Sequence, residues 1–405
     1  MNQMSKLTHR LANADRGGLP PWTYFSSELL ELEKIEIFRK TWQCVGHVND
    51  IPKPGDYLTL DIVGERAIIV RGKDGEVRAF HNVCRHRGSR VVNEQRGTCK
   101  SAIVCPFHGW SYNLDGTLRA VPLAKTFPAL DPEKHGLPPL EYEIWNGFVF
   151  VRFAKGKQPS ITQTMAKFTE EISSYLLDQV EPIRPIVTDT LPANWKSVRD
   201  VDNEGYHVPM AHPALQDLYG GQYVDQRLGF GISRSEGVLN QGSGKLWSVR
   251  NYKKILPKAD HLPERNQRAW IYYGLYPNMV LMLYPDCIGF YQEFPLSVNS
   301  TLQRFAYYAL PDSRRDMKLA RYLSSRIDRD TGREDGKLIV WSCEAMQSSG
   351  FKEIILSDCE SGVREYHDFL RAIVPVVDLK EEPAMGTLAA VNETIRVQTG
   401  NRTWN

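Results

Sequence analysis

The chain has 405 residues, enough for two domains with a sizeable core. Fifty Lys+Arg against 48 Asp+Glu leave a formal charge of +2, which argues against nucleic acid or an anionic membrane surface as a partner held by charge. No run of about 18 apolar residues suggests a membrane span, the opening MNQMSKLTHRLANADRGG lacks the apolar stretch of a secretory signal, and seven scattered cysteines do not form a disulfide pattern, so a cytoplasmic protein is expected.

From the N-terminus, residues 1 to 20 read as an arm ending in the Gly/Pro cluster GGLPPW. In SSELLELEKIEIFRKTW, Leu30, Lys34 and Phe38 fall at helical spacing beside Leu29, Leu32 and Ile35, with serines suited to cap the start. This arm and helix make up residues 1–40. Residues 41–156 change period. Leu58, Leu60 and Ile62 alternate with Thr59 and Asp61, and RAIIVRGKDGEVRAF has the form of a hairpin turning at Asp74-Gly75. A second turn falls at Asp115-Gly116, and NGFVFVRF ends the β-rich block. AKGKQPS reads as a linker into a helical stretch, ITQTMAKFTEEISSYLLDQV. Further on, RAWIYYGLYPNMVLMLYPDCIGFYQEFPLSVNSTLQRFAYYAL is dense in aromatic and β-branched residues broken by turns, the composition of several antiparallel strands. From about residue 314, helical stretches alternate with polar breaks. The expected fold class is α+β, with an all-β domain over 41–156 and a second domain over 157–405.

Within the β-rich block lies CRHRGSRVVNEQRGTCKSAIVCPFHGW, residues 84–110. It holds two pairs of metal-binding residues, Cys84-x-His86 and Cys105-x-x-His108, each mixing a thiol with an imidazole. A [2Fe–2S] cluster held by two thiolates on one iron and two imidazoles on the other needs each loop to supply one of each. Neutral imidazoles in place of two thiolates lower the negative charge and raise the potential into the Rieske range. A zinc knuckle, the competing reading, more often pairs Cys with Cys and His with His. Gly88 and Gly109 permit close backbone approach, and Pro106 stiffens the second loop.

With the preceding FHNVC, the run CRHRGS…CPFHGWSYNLDG resembles the Rieske domain of the large (α) subunit of Rieske non-haem iron oxygenases. About 100 residues downstream stands NWKSVRDVDNEGYHVPMAHP, residues 194–213. His207 and His212 are too far apart in helical angle to share one face, and Pro209 and Pro213 forbid a regular helix throughout, so an irregular turn would have to converge the two imidazoles. Two histidines plus one carboxylate suit non-haem Fe(II) and O₂. By the resemblance, the third ligand lies in EDGKLIVWSCEAMQSSGFKEIILSDCESGVREYH. Anchoring on Gln347 would put Ile339 on the metal. Anchoring on SSGF and LSDCESGV puts Asp335 there, with Glu334 and Glu344 as alternatives.

The resemblance implies more. The catalytic domain would be an antiparallel sheet flanked by helices (helix-grip, START-like). The subunits would form a head-to-tail homotrimer in which an acidic residue three before the first iron histidine, here Glu204, links His108 of a neighbour to His207. Asp200 and Asp202 stand nearby as alternatives. Glutamate at the bridge and the run EGYHVPMAHP look closest to the branch acting on carnitine and betaines. Electrons would come from NAD(P)H through a separate flavin/iron–sulfur reductase, because no G-x-G-x-x-G nucleotide fingerprint follows a strand here. The expected cofactors are a Rieske [2Fe–2S] cluster and a mononuclear Fe(II). The expected activity is O₂-dependent hydroxylation of a C–H bond, such as an N-methyl. Hydroxylation of an aromatic ring, or electron carriage without oxygenase activity, remain alternatives. A trimethylammonium substrate would want an aromatic cage, and Trp270, Tyr272, Tyr273, Tyr276, Tyr284 and Tyr291 lie in the predicted strands, where aromatics are more often plain core.

Overall fold

The computed structural model describes residues 17–229 and 231–399; most of the arm expected over residues 1–20 lies outside them. Helix α1 (Ser27–Glu33) begins where Ser26 accepts a hydrogen bond from the Leu29 N–H, and it runs on into a π turn at Lys34–Phe38. Leu29, Leu30 and Phe38 are buried as the spacing suggests, but Ile35 is exposed and Ile37 is buried in its place, because the π turn shifts the inward face.

Three small antiparallel sheets follow. Strands β1 (Gln43–His47), β2 (Asp56–Ile62), β3 (Glu65–Arg71), β4 (Val77–His81), β5 (Arg96–Thr98), β6 (Ile103–Val104), β7 (Ser111–Tyr112), β8 (Leu118–Ala120), β9 (Glu141–Trp145) and β10 (Phe148–Arg152) assemble in the orders β4-β3-β2-β5, β6-β7-β8 and β1-β10-β9. The turns at Asp74-Gly75 and Asp115-Gly116 join β3 to β4 and β7 to β8, with Gly75 and Gly116 at φ +84° and +85°. In β3, Ala67 and Ile69 enter one core with Leu58 and Leu60. Ile68 and Val70 point the other way, into the core that holds Cys84 and Cys105.

The second half opens with two short helices, α2 (Ile161–Met165) and α3 (Thr169–Ser173), then β11 (Glu181–Pro182) and β12 (Val187–Leu191). Helices α4 (Trp195–Asp202), α5 (Val208–Ala211) and α6 (Pro213–Tyr219) precede β13 (Tyr223–Arg227) and β14 (Ile232–Val238). After α7 (Trp247–Ile255) come β15 (Ala269–Leu275), β16 (Met279–Leu283), β17 (Ile288–Ser297) and β18 (Ser300–Ala309). These strands form one eight-stranded antiparallel sheet in the order β11-β18-β17-β16-β15-β14-β13, with β12 also on β18. Its faces differ. Ile271, Tyr273, Leu281, Phe290 and Tyr308 pack against α2 and its neighbours, whereas Trp270, Val280, Met282 and Tyr284 pack against α6, α7 and a long α8 (Arg315–Met346).

Helix α8 departs from the sequence reading of stretches broken at polar positions, since 32 residues run unbroken through Gly332 and Gly336. Each helical glycine costs about 1 kcal/mol relative to alanine. Burial of Met317, Ala320, Leu323 and Ile327 on one side and of Ile339 and Cys343 on the other anchors both halves, and that packing outweighs the local cost. Breaks do occur after it, before α9 (Ser361–Ile373) and α10 (Leu388–Thr399). Tyr366, Leu370 and Leu388 share a core with Leu19, Tyr24, Val45, Leu58 and Trp195, so the two halves of the chain are packed through common apolar contacts. No helix among the described residues is long and apolar enough to cross a membrane.

Candidate metal centres

The two Cys/His loops are built alike. Cys84 accepts a hydrogen bond from the Gly88 N–H at 3.1 Å, and Cys105 accepts one from the Gly109 N–H at 3.0 Å. Both glycines adopt positive φ, +77° and +73°, which an L side chain rarely does. The Cys84 N–H donates to Ser89 O at 2.7 Å and the Cys105 N–H to Trp110 O at 2.8 Å, closing each loop. Both thiols are buried side by side, and burial pushes the Cys84 thiol up from its usual pKa. The Tyr112 hydroxyl lies 3.3 Å from Cys84 Sγ. His86 and His108 face each other edge to face with centroids 4.6 Å apart, and His86 stacks on Trp110 at 5.1 Å. His86 Nδ1 is buried without a hydrogen-bond partner, a cost that a metal bond removes.

The second centre forms where α4, α5 and α6 meet α8. Pro209 and Pro213 sit in the first turns of α5 and α6, and the chain breaks between them at His212 (φ −120°, ψ 83°). This break turns the two imidazoles toward each other, with Nε2 to Nε2 at 3.1 Å. Asp335 of α8 brings Oδ1 to 2.8 Å from His212 Nε2 and 3.6 Å from His207 Nε2. The far sides of both rings are committed to carboxylates: His207 Nδ1 lies 2.5 Å from Glu204 Oε1, and His212 Nδ1 lies 2.9 Å from Glu334 Oε2. A proton held at each Nδ1 leaves two Nε2 lone pairs and a carboxylate oxygen pointing at one place, which is repulsive unless a cation stands there. Asp335 Oδ1 is buried and has no hydrogen bond of acceptable geometry despite these close approaches. Burial opposes protonation of His207, yet the carboxylates of Asp335 and Glu204 outweigh it and lift its pKa to about 10. The pocket thus selects positive charge. Among the described residues, it is the one place where three such ligand atoms lie within 4.8 Å of one another.

Residues 170–375 match the model of the ring hydroxylating alpha subunit (catalytic domain), and residues 41–131 match the Rieske [2Fe-2S] domain. The chain belongs to the ring-hydroxylating α-subunit family. The carnitine monooxygenase oxygenase subunit of Acinetobacter pittii (strain PHEA-2) is 36% identical over 200 residues, 49% of this chain and 53% of that protein. This match spans about half the length of that relative. The corresponding subunit of Escherichia coli (strain K12) is 28% identical over 361 residues, 86% of this chain and 90% of its own. A solved quaternary ammonium Rieske monooxygenase, CntA, in complex with L-carnitine, superposes with a TM-score of 0.72 at 25% identity, covering 89% of this chain and 96% of its own. Naphthalene 1,2-dioxygenase from Rhodococcus shares the fold, with a TM-score of 0.68 at 19% identity.

As a ring-hydroxylating α subunit, the chain uses a Rieske [2Fe–2S] cluster and a mononuclear iron, and the two donor sets fit them. The residues the sequence offered as rivals make other contacts. Asp200 accepts from the Tyr24 hydroxyl at 2.6 Å and lies 2.9 Å from His367 Nε2. Asp202 pairs with Arg199 at 3.2 Å and accepts from the Tyr291 hydroxyl at 3.2 Å; burial, with Asp335 adding to it, raises its pKa to about 6. Glu344 is exposed on α8. Glu334 is next to the site but on His212 Nδ1, a supporting position the sequence reading did not foresee. The signal was there in two adjacent acids, whose side chains leave a helix about 100° apart and so can grip different atoms of one ring. Trp110 and Tyr112, which line the first centre, stand within the run CPFHGWSYNLDG but were not singled out in the sequence reading.

Proposed function

We propose that the chain is the terminal oxygenase component of a Rieske monooxygenase that hydroxylates a C–H bond of a quaternary ammonium compound. The observation that carries the oxygenase reading is the convergence of His207, His212 and Asp335. A simple electron carrier has no use for a second centre with open coordination positions. The substrate class rests on the relatives named for carnitine and for glycine betaine, and on glutamate rather than aspartate at position 204.

In this reading Cys84, His86, Cys105 and His108 would hold the cluster, and His207, His212 and Asp335 the iron. When bound, the cluster delivers single electrons and the iron activates O₂. The chain's own residues prepare that chemistry. Glu204 and Glu334 keep the proton of each imidazole on Nδ1, so both rings present Nε2. Exposed His108 and Phe107 mark one surface; exposed Tyr206 and Met210, flanking His207, mark another. A head-to-tail homotrimer would bring His108 of one protomer to Glu204 of the next. Electrons would come from NAD(P)H through a separate flavin/iron–sulfur reductase, and the work would be done in the cytoplasm. For an N-methyl substrate, R–N(CH₃)₃⁺, O₂ and NADH would give R–N(CH₃)₂, formaldehyde, water and NAD⁺, the hydroxymethyl group leaving as the aldehyde.

The test is oxygen uptake by the reconstituted protein with a reductase, offered L-carnitine, glycine betaine, γ-butyrobetaine and simple aromatic acids. Uptake with a betaine, matched by amine or aldehyde release, is expected. Turnover confined to the aromatic acids, with ring-oxidised product, would overturn the substrate class.

A further inference from the structure

Seven residues before Asp335, the same face of α8 carries a second acid, Asp328, with Thr331 between them. Two helical turns separate the acids by about 10 Å along the axis. Asp328 meets the aromatic face of the large sheet. The Tyr284 hydroxyl donates to its Oδ1 at 3.0 Å and lies 3.0 Å from the Tyr272 hydroxyl, from which it can accept. Tyr284 is itself stacked on Trp270 with centroids 3.9 Å apart, so its hydroxyl is fixed in place. Across the strands Tyr272, Met282, Gly289 and Tyr307 stand in one register row, with tyrosines at its ends and glycine inside it.

The other oxygen, Asp328 Oδ2, is buried with no hydrogen-bond partner, and so is Thr331 Oγ1. None of the described ion pairs includes Asp328. Arg184, whose charge reaches it, lies over the Tyr307 ring at 4.7 Å instead. Tyr272, Tyr307 and Asp328 are each only half-buried, so part of each side chain stays open to solvent. When ionised, this acid has no ion-pair partner among the described residues to balance its charge.

We infer that Asp328, with Tyr272, Tyr284 and Tyr307, forms the subsite that receives the cationic head of the substrate. This rests on the quaternary-ammonium reading above and adds to it the residues that select charge. A quaternary ammonium spreads its charge over methyl groups and donates no hydrogen bond. A carboxylate oxygen without a donor, beside tyrosine rings, is complementary to it in a way that an aromatic hydrocarbon could not use. The position two turns from Asp335 suits a head group held within reach of the iron ligands.

The experiment is isothermal titration of the holoprotein, as wild type and Asp328→Asn, with γ-butyrobetaine and its carbon isostere 5,5-dimethylhexanoate, which keeps the carboxylate but has an uncharged head. Wild type is expected to prefer the cation, and D328N to bind it at least tenfold more weakly, about the scale for removing a desolvated charge partner, with the isostere unaffected or tighter. The visible spectrum of the cluster and the melting temperature report whether D328N is intact. Should it not fold, Tyr284→Phe keeps the ring stack and removes only the hydroxyl that orients Asp328. Weaker cation binding with unchanged isostere binding is then the supporting result. Equal cation binding by wild type and variant overturns the subsite while leaving the substrate class standing. If the wild type binds neither γ-butyrobetaine, L-carnitine nor glycine betaine, the substrate class falls and the subsite with it.

Discussion

Glu204 holds His207 twice: Oε2 accepts the backbone N–H at 3.0 Å, and Oε1 lies 2.5 Å from Nδ1. The double grip fixes both where the residue sits and which ring nitrogen is free. Glu204→Gln keeps the backbone contact and the shape but removes the charge. Substrate-dependent oxygen uptake is expected to fall roughly 10- to 100-fold, the usual effect of losing a ligand's supporting carboxylate. The reduced-cluster EPR signal should be unchanged. Unchanged oxygen uptake would show that the carboxylate charge does not matter.

Two acids on α8 make a sharper comparison. Glu334 supports His212 Nδ1 at 2.9 Å, while Glu344 is exposed three turns further on. Glu334→Ala should weaken retention of the mononuclear iron by roughly 10- to 100-fold, read as iron per chain after dialysis against a chelator. Glu344→Ala should match wild type. Equal loss from both would mean that Glu334 does not orient the ring.

What was legible in the sequence was local. The cysteine and histidine loops are short turns whose glycines stand next to the ligands, so residue type and spacing already specify them. The same holds for the hairpins at Asp74-Gly75 and Asp115-Gly116, and for the break that two prolines impose around His212. What was not legible depends on distant packing. Arg333, Glu334 and Asp335 form a charged run with a glycine on either side, which reads as a polar break. It is helical because Ile327 and Ile339 are held in cores at opposite ends. Asp328 gave no sign either. A single acid on an amphipathic helix looks like solvated surface, and only the sheet's tyrosines, 56, 44 and 21 residues earlier at Tyr272, Tyr284 and Tyr307, give it another meaning.

The first centre yields a separate prediction. Cys84 is buried between Cys105 and the Tyr112 hydroxyl, and serine there is nearly isosteric but a poor partner for iron–sulfur iron. With two irons in the cluster and, in the proposed reading, one at His207, His212 and Asp335, Cys84→Ser should abolish the visible absorption and lower the iron content from three per chain to one. Retained colour with full iron content would show that residue 84 is no ligand.

Burial pushes the Asp328 carboxyl up to about 8, with Asp286 adding to the shift and Tyr284 and Arg184 opposing it. Tyr272, Tyr307 and Cys287 feel the same charge from the sheet side. A raised folded-state pKa means that the folded protein keeps a proton the unfolded chain has released. That contribution to stability is full below the unfolded value of about 4 and is lost as pH rises toward about 8. Ligand-free wild type should therefore lose melting temperature relative to D328N across this window. The cation needs the ionised form, so its binding must displace the proton. The affinity for γ-butyrobetaine should rise up to tenfold per unit between about pH 6 and about pH 8 and level off above. Titration in two buffers of different ionisation enthalpy should register close to one proton released at the lower end. D328N should bind with no such slope. A wild-type affinity that does not change over this range would mean that Asp328 is already ionised, or is not what the cation meets.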